Sequence, residues 1–373
     1  MRPRRPYRIA VVGAGPSGLY AVAALVKAEE PLSIDVFDRL PTPYGLVRYG
    51  VAPDHAKMKT VIGTLQKPFD EPNVEFFGNV TLGPGLDAQK LGQHYHAVIY
   101  ATGSQQDRNL SITGEHLSVG AVQFVSWYNG HPDASELDFR LDCPQVAIVG
   151  GGNVALDLAR VLLKDPDEMS RTDVPDRVLD RLRNSAVREV NIFIRRGVAD
   201  VKFTPAEVGQ IGQLKNVDIF LHDADLPSAS ADIAIDRRVQ RNIAHFQEWA
   251  ERETGDNGRS IHFWFHCHPL EITGASEPDA VHVERRPRGG TEPETSGIRE
   301  TMPTQLVIRA IGYDAQPLPG LPFDEGRGVV PNVDGRIIDA DTIVAGHYVA
   351  GWIKRGPSGI IGTNKSCAND TVA

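Results

Sequence analysis

The sequence predicts an α/β protein assembled from two similar strand–helix–strand units. An apolar strand broken by a glycine-rich turn stands near the start of the chain, at Arg8 to Gly18. The same order recurs from Gln145 to Ala155. A third glycine-rich segment runs from Tyr348 to Asn364. At roughly 100–200 residues per domain, a chain of 373 residues holds two domains, or three. Its composition, 41% hydrophobic and 23% charged, suits a globular core without staples.

In chain order, Arg8-Ile-Ala-Val-Val12 is a first strand, and the helix after its glycine turn reads from Leu19 to Ala28. Ser33 to Phe37 is a second strand, so the unit is βαβ and its sheet parallel. The prolines of Leu40-Pro-Thr-Pro-Tyr-Gly45-Leu-Val-Arg48 make that stretch a loop. His96 to Ala101 is another buried strand. In the second unit, Gln145 to Val149 is a strand, a helix runs through Leu163, and Glu189 to Ile194 is the next strand. Residues 223–260 carry a polar, helical pattern, followed by strands at Ser260 to Phe265 and Ala280 to Glu284. A hairpin loop is expected over 285–300, and Thr304 to Ala310 is a strand again.

Net charge is −9 and the isoelectric point near 5.7. Such a chain lacks the general basic field that nucleic acids or membrane surfaces require. No 18-residue apolar span is present. Cys143, Cys267 and Cys367 form no C-x-x-C pair, zinc spacing or disulfide framework, which points to a reducing cytoplasm. The arginines of Met1 to Arg8 precede a strand, not a signal peptide.

Gly13-x-Gly15-x-x-Gly18 lies between strand and helix, where a dinucleotide fingerprint must lie. The first glycine permits the turn, the second admits a pyrophosphate, and the third lets helix and strand pack. Asp38, about 20 residues on, can accept hydrogen bonds from a ribose diol. Gly150-x-Gly152-x-x-Ala155 repeats the motif, but its next strand ends in Arg195-Arg196. Guanidinium forks can pair with a 2′-phosphate that a carboxylate would repel, so this unit is expected to prefer NADP(H). The plainer reading of the arginines is a solvated surface pair.

These residues resemble the adrenodoxin reductase type of ferredoxin–NADP reductase, including its actinobacterial members. The matching segments are Leu40 to His55, Gly150 to Asp157, Arg195 to Gly197 with Phe203-Thr-x-x-Glu207, and Gly351 to Asn364. The resemblance implies two Rossmann-like dinucleotide-binding domains, with the NADP domain inserted into the FAD domain. Residues 1–105 would begin the FAD domain, 106–312 form the NADP domain, and 313–373 complete the FAD domain. FAD is then implied at Gly13, Ala14, Gly15, Pro16, Ser17, Asp38, Gly45, Leu46, Val80, Trp352, Gly359, Ile360 and Ile361. NADP is implied at Arg108, Gly152, Asn153, Val154, Ala155, Arg195, Arg196, Glu207 and Gly359. For Glu207 the plain alternative is an exposed helix carboxylate, and for Trp352 core packing.

His55 and Glu207 are the candidates for assisting the reaction. The family commonly has a glutamate where this chain has Gln210, so a charged partner for His55 is missing and a structural hydrogen-bonding role competes. Family chains continue well beyond the glycine-rich segment, whereas this one stops at Ala373; a short or absent final helix is expected. The implied activity passes hydride from NADPH to FAD and then single electrons to a ferredoxin-type 2Fe–2S or other iron–sulfur protein. Arg237, Arg238 and Arg241 offer a basic docking patch, or merely a solvated helix face. His266-Cys267-His268 would place two imidazoles on one face of a strand, too few ligands for a metal site. The competing functions are an FAD- and NADPH-dependent monooxygenase, another flavin reductase, a glutamate synthase small-chain relative, or a catalytically silent nucleotide-binding scaffold. A disulfide reductase would need a cysteine pair that this sequence lacks.

Overall fold

The computed structural model describes residues 5–83, 85–226, 236–255, 257–286 and 297–373. The chain divides into two compact units. The first holds the described residues of 1–51, 55–106 and 313–373; the second holds 52–54 and 107–312.

The first unit is built on a seven-stranded sheet. Its order is Asn332–Val333, Arg336–Asp339, Thr342–Val349, Ala97–Tyr100, Tyr7–Val12, Leu32–Phe37 and Val74–Phe77. Thr342–Val349 through Val74–Phe77 pair in parallel. Successive side chains leave a strand on opposite faces, and both faces here are apolar. Val11, Ile34, Val36 and Ile99 pack one way, against Leu19, Val22 and Ala368. Ala10, Val12, Val98 and Tyr100 pack the other way, against Leu91, Val349 and Ile353. A sheet covered on both faces is what a parallel topology requires.

The second unit has a six-stranded parallel sheet. Its order is Val119–Gly120, Leu306–Arg309, Gln145–Val149, Glu189–Phe193, Ser260–Trp264 and Asp218–His222. Val146, Ile148, Ile192 and Phe263 meet the helix Asn153–Leu163 and the helix Arg237–Glu251 on one face. Ala147, Val149, Phe193 and Val307 meet a three-stranded antiparallel sheet on the other. That sheet comprises Cys267–Gly274, Pro278–Arg285 and Ile298–Pro303.

Several elements depart from expectation. The first helix is Pro16–Leu25, not Leu19 to Ala28. Proline at its start is pre-set for a helix and lacks only an N–H that would be orphaned there anyway. The last residues of the loop expected from Leu40 to Arg48 instead open a short helix, Leu46–Tyr49. The final helix is neither short nor absent: Ile361–Val372 spans 12 residues. His266 is not in a strand. Its φ of 51° puts it in the turn before Cys267–Gly274, so strand alternation does not relate it to His268. The loop expected at 285–300 is flanked by paired strands, with Arg285 opposite Ile298. Residues 287–296 of that loop, and Met1 to Arg4, lie outside the described residues.

Candidate cofactor sites

The strand Tyr7–Val12 delivers the chain into the first glycine turn. Gly13 has a φ of +104°, and a Cβ there would stand 2.5 Å from the Ala101 carbonyl oxygen. A Cβ on Gly18 would fall 1.9 Å from the Gly13 oxygen. These two glycines therefore shape the turn itself. Gly15 differs: the nearest atom to a Cβ there is the Gly45 Cα, at 3.9 Å. Gly45, at φ +48°, faces it so closely that its own Cβ would lie 3.0 Å from the Gly15 Cα. The preceding Tyr44 is also left-handed, at φ 88°, and its N–H donates to the Ala14 carbonyl at 2.8 Å. The loop Leu40 to Gly45 is thus folded back onto the fingerprint.

The helix Pro16–Leu25 has no side-chain cap. The N–H groups of Ser17 and Gly18 have no partner within the helix, and they meet the positive end of its dipole, an anion seat. Asp38 accepts the Ala14 N–H at 2.7 Å through Oδ2 and the Leu40 N–H at 2.9 Å through Oδ1. Burial pushes its carboxyl up, opposed by those two backbone donors. Each oxygen keeps a further lone pair for a hydroxyl. Val80 gives its N–H to the Asp38 carbonyl at 2.9 Å. Leu46 is 39% exposed although it follows this cradle directly.

The third glycine segment belongs to the same unit. A Cβ on Gly351 would collide with Ser17 Oγ at 2.1 Å, which binds this segment to the first helix start. Trp352 stacks on Tyr313 at 6.1 Å and donates its indole N–H to the Ser358 carbonyl at 3.1 Å. Arg355 donates to the same carbonyl, to Ser358 Oγ at 3.1 Å and to Asn364 Oδ1 at 2.8 Å. Gly359, at φ +82°, leaves no room for a side chain beside Thr363. Ile361 packs into the core, whereas Ile360 is 69% exposed. His55, only 7% exposed, precedes the short helix Ala56–Lys59.

In the second unit, Gly150 has a φ of +148° and a Cβ there would meet the Ala310 oxygen at 2.2 Å. Gly152 faces open space. The helix Asn153–Leu163 starts without a side-chain cap, so the N–H groups of Asn153 and Val154 repeat the anion seat. The Asn153 side chain instead accepts the Thr204 N–H at 2.8 Å, tying down the loop before Glu207. Ala155 is fully buried beneath the turn. Arg195 and Arg196 are both exposed, and neither is ion-paired among the described residues. The turn carrying them is fixed from behind. His266 N–H donates to the Arg196 carbonyl at 3.2 Å and Cys267 N–H to that of Ile194 at 2.9 Å. Arg108 is exposed, its N–H donating to the Gly312 carbonyl at 3.2 Å.

Glu207 is not the exposed carboxylate its helix position allowed; it is 4% exposed and lies 3.5 Å from Arg160. Arg160, itself 1% exposed, is gripped by Asp54 at 2.7 and 3.0 Å and by Asp157 at 2.7 Å. Lys164 adds a contact to Asp54 at 2.9 Å. Burial alone would raise the Asp54 carboxyl, yet Arg160 and Lys164 outweigh it and hold it far below the usual range. Sequence reasoning gave this array no role. Asp54 and Asp157 sat inside matched motifs, but their convergence on Arg160 is a long-range contact with no local pattern.

The proposed docking arginines separate. Arg237 and Arg241 are exposed on the helix Arg237–Glu251. Arg238 turns inward and donates to the carbonyls of Val201 at 3.0 Å and Phe203 at 3.1 Å. Among the described residues no helix is long and apolar enough to cross a membrane.

Each unit therefore offers an open glycine and bare helix N–H groups, and the two differ where the ribose would lie. One has a carboxylate there, and the other two exposed guanidiniums with no ion-pair partner among the described residues. Two such cradles in one chain define an oxidoreductase class that handles two dinucleotides. The comparisons agree. The family model for pyridine nucleotide-disulphide oxidoreductases matches residues 7–202. The chain is 42% identical to the NADPH-ferredoxin reductase FprA of Mycobacterium tuberculosis, aligning over 99% of its own length and 83% of that protein. It is 38% identical to the mitochondrial NADPH:adrenodoxin oxidoreductase of Arabidopsis thaliana, over 99% and 81%. The solved structure of Mycobacterium tuberculosis FprA in complex with NADPH superposes with a TM-score of 0.91, covering 99% of this chain and 83% of that one. The chain belongs to the pyridine nucleotide-disulphide oxidoreductase family and, within it, to the ferredoxin–NADP reductases of the adrenodoxin reductase type.

Proposed function

We propose that this protein takes electrons from NADPH, carries them on FAD and delivers them singly to a ferredoxin-type iron–sulfur protein. The observation that supports it most is the opposite chemistry at the two ribose ends: Asp38 in the first unit, Arg195 and Arg196 in the second. A diol suits the carboxylate, and a 2′-phosphate suits the guanidinium pair.

In this reading the first unit is the FAD domain and the second the NADP domain. The FAD pyrophosphate rests on Ala14 to Ser17, where Gly15 and Gly45 leave backbone room, and the ribose meets Asp38. Leu46, Trp352, Gly359, Ile360 and Ile361 supply the apolar and glycine surface for the flavin, and Val80 a carbonyl for the adenine. The exposed Ile360 and Leu46 are the large apolar groups that such a ring would cover. The NADPH pyrophosphate rests on Gly152 to Ala155, with Arg195 and Arg196 on the 2′-phosphate. Arg108 and Glu207 are assigned to the remainder of that nucleotide. When bound, the flavin supplies the conversion between a two-electron donor and one-electron acceptors. The chain's own groups bind, orient and exclude water; no side chain is required to move a proton. His55 is assigned a structural hydrogen-bonding role.

The partner is acidic, and Arg237 and Arg241 meet it. Arg238 anchors their helix instead. Three free, buried cysteines suit the reducing cytoplasm and a one-electron acceptor, since no cysteine pair is present to pass electrons to a disulfide. The test is NADPH oxidation by the yellow holoprotein with and without an oxidised ferredoxin. Ferredoxin reduction that keeps pace with NADPH consumption supports the reading. Stoichiometric oxygen uptake with an organic substrate, and no ferredoxin reduction, would replace it with a monooxygenase.

A further inference from the structure

We infer that the second unit carries a separate site for a small, multiply charged oxyanion, at the end of its sheet opposite the nucleotide cradle. The site is a cleft of about 360 Å³ lined by Lys164, Arg183, Arg188 and Arg259, with Asn257 and Gly258 beside them. No carboxylate among the described residues lines it. Four cations line this one concavity, and Arg188 and Arg259, whose partners are carbonyls, give it a local positive field in a chain of net charge −9.

The position follows from the topology. Arg188 and Arg259 stand immediately before the parallel strands Glu189–Phe193 and Ser260–Trp264. The arginine pair of the nucleotide cradle follows the first of these strands at its other end. At about 3.3 Å per residue, five residues of strand separate the two places by roughly 16 Å. The cleft is therefore distinct from the 2′-phosphate seat.

Part of its charge is already engaged. Lys164 is neutralised by Asp54 at 2.9 Å, and Arg183 faces Asp180 at 3.5 Å on the surface. Arg188 and Arg259 are different, because their partners are carbonyls. Arg188 donates through one terminal nitrogen to Ser185 at 3.2 Å and Val187 at 2.9 Å. Arg259 donates through one terminal nitrogen to the Leu163 carbonyl at 2.8 Å, where it also caps a helix end. A guanidinium has five N–H donors in a fixed fork. Among the described residues neither has a further partner for its Nε and second terminal nitrogen, while its carbonyl contact holds the fork in place. Preset forks of this kind recognise phosphate or carboxylate oxygens. The volume falls in the range of small-ligand sites, roughly 300–1,000 Å³, which favours a compact ligand over a protein surface.

The experiment is isothermal titration of the holoenzyme, kept saturated with NADP+ at low salt, with tripolyphosphate and, in a second arm, citrate. Saturable binding of one equivalent is expected. The stronger of the two probes identifies the ligand as a phosphate or a carboxylate compound. The double variant Arg183→Glu, Arg188→Glu should weaken binding about tenfold or more, and Arg188→Lys should weaken it less. Arg195→Ala with Arg196→Ala should leave it unchanged. Melting temperatures confirm that the exposed substitutions preserve the fold. Absence of saturable binding, or binding lost in the Arg195/Arg196 variant but kept in the Arg183/Arg188 variant, would overturn the site. Neither result bears on NADPH oxidation.

Discussion

Replacing Arg195 and Arg196 together by alanine tests the cofactor preference most sharply. Both side chains are exposed, and neither has a carboxylate among the described residues to be left unpaired by truncation. The loss is therefore confined to the ligand. A hydrogen bond to a charged group contributes about 1.5–3 kcal/mol, and exposure screens such contacts toward the lower end. Two of them give roughly 2–4 kcal/mol, which at about 1.4 kcal/mol per decade is a 30- to 1,000-fold rise in KM for NADPH. NADH has no 2′-phosphate, so its KM should stay within about twofold. The assay is ferricyanide reduction at fixed ionic strength, which needs no protein partner. Raising the salt should weaken wild-type NADPH binding and leave the variant nearly indifferent. Equal losses for both nucleotides, or an unchanged NADPH KM, would refute the assignment.

Other outcomes follow from particular contacts. Arg160→Met should lower stability by about 3–5 kcal/mol, because Asp54, Asp157 and Glu207 would keep buried charge without their common partner. In a unit of this size that is a drop of about 6–20 °C in Tm by calorimetry; a change under about 2 °C would show the array to be dispensable. The folded Asp54 carboxyl is depressed, so its contribution is present above about pH 4 and is lost as pH falls below that. His222 works in the opposite charge sense. Burial, and then the neighbouring His262, pushes its imidazole down to about 4. It must stay neutral to fold, so stability should fall between about pH 6.5 and 4. His222→Phe, which can keep the stacking on Trp264 at 3.7 Å, should flatten that slope in urea titrations; an unchanged slope would sink this account. Arg241→Glu should slow ferredoxin reduction several-fold at low salt and spare ferricyanide reduction. Arg355→Gln should loosen the Gly356 to Gly359 turn and raise the Kd for FAD about tenfold, read by flavin fluorescence, with Arg355→Lys between. Wild-type FAD affinity in Arg355→Gln would show that the clamp does not shape the site.

What could be read from the sequence was local. The glycine spacings, Asp38 after the second strand and Arg195-Arg196 after the later one are short-range patterns with a backbone reason behind each. The final helix was missed because its inward stripe is Asn364, Cys367, Ala368 and Thr371. The spacing is helical, but the residues are small and partly polar, so no hydrophobic period appears. They fit because Cys367 Sγ accepts the Gly351 N–H at 3.2 Å and Thr371 donates to the Val349 carbonyl at 2.9 Å. The edge strand Asp218–His222 was hidden for a similar reason: it is half-buried throughout and mixes Asp, Phe and His. Arg160 looked like one more helix cation. Its carboxylates come from residues 54, 157 and 207, a convergence that only the tertiary fold creates.

The most direct measurement is an anaerobic titration of the purified chain with NADPH, followed by the visible absorbance of its bound chromophore, then mixing with oxidised ferredoxin. A yellow protein that bleaches with one equivalent of NADPH, responds far less to NADH and recovers its colour as ferredoxin is reduced is the result this account requires. A colourless chain that cannot be reconstituted with FAD, or a yellow one that NADPH does not bleach, would contradict it.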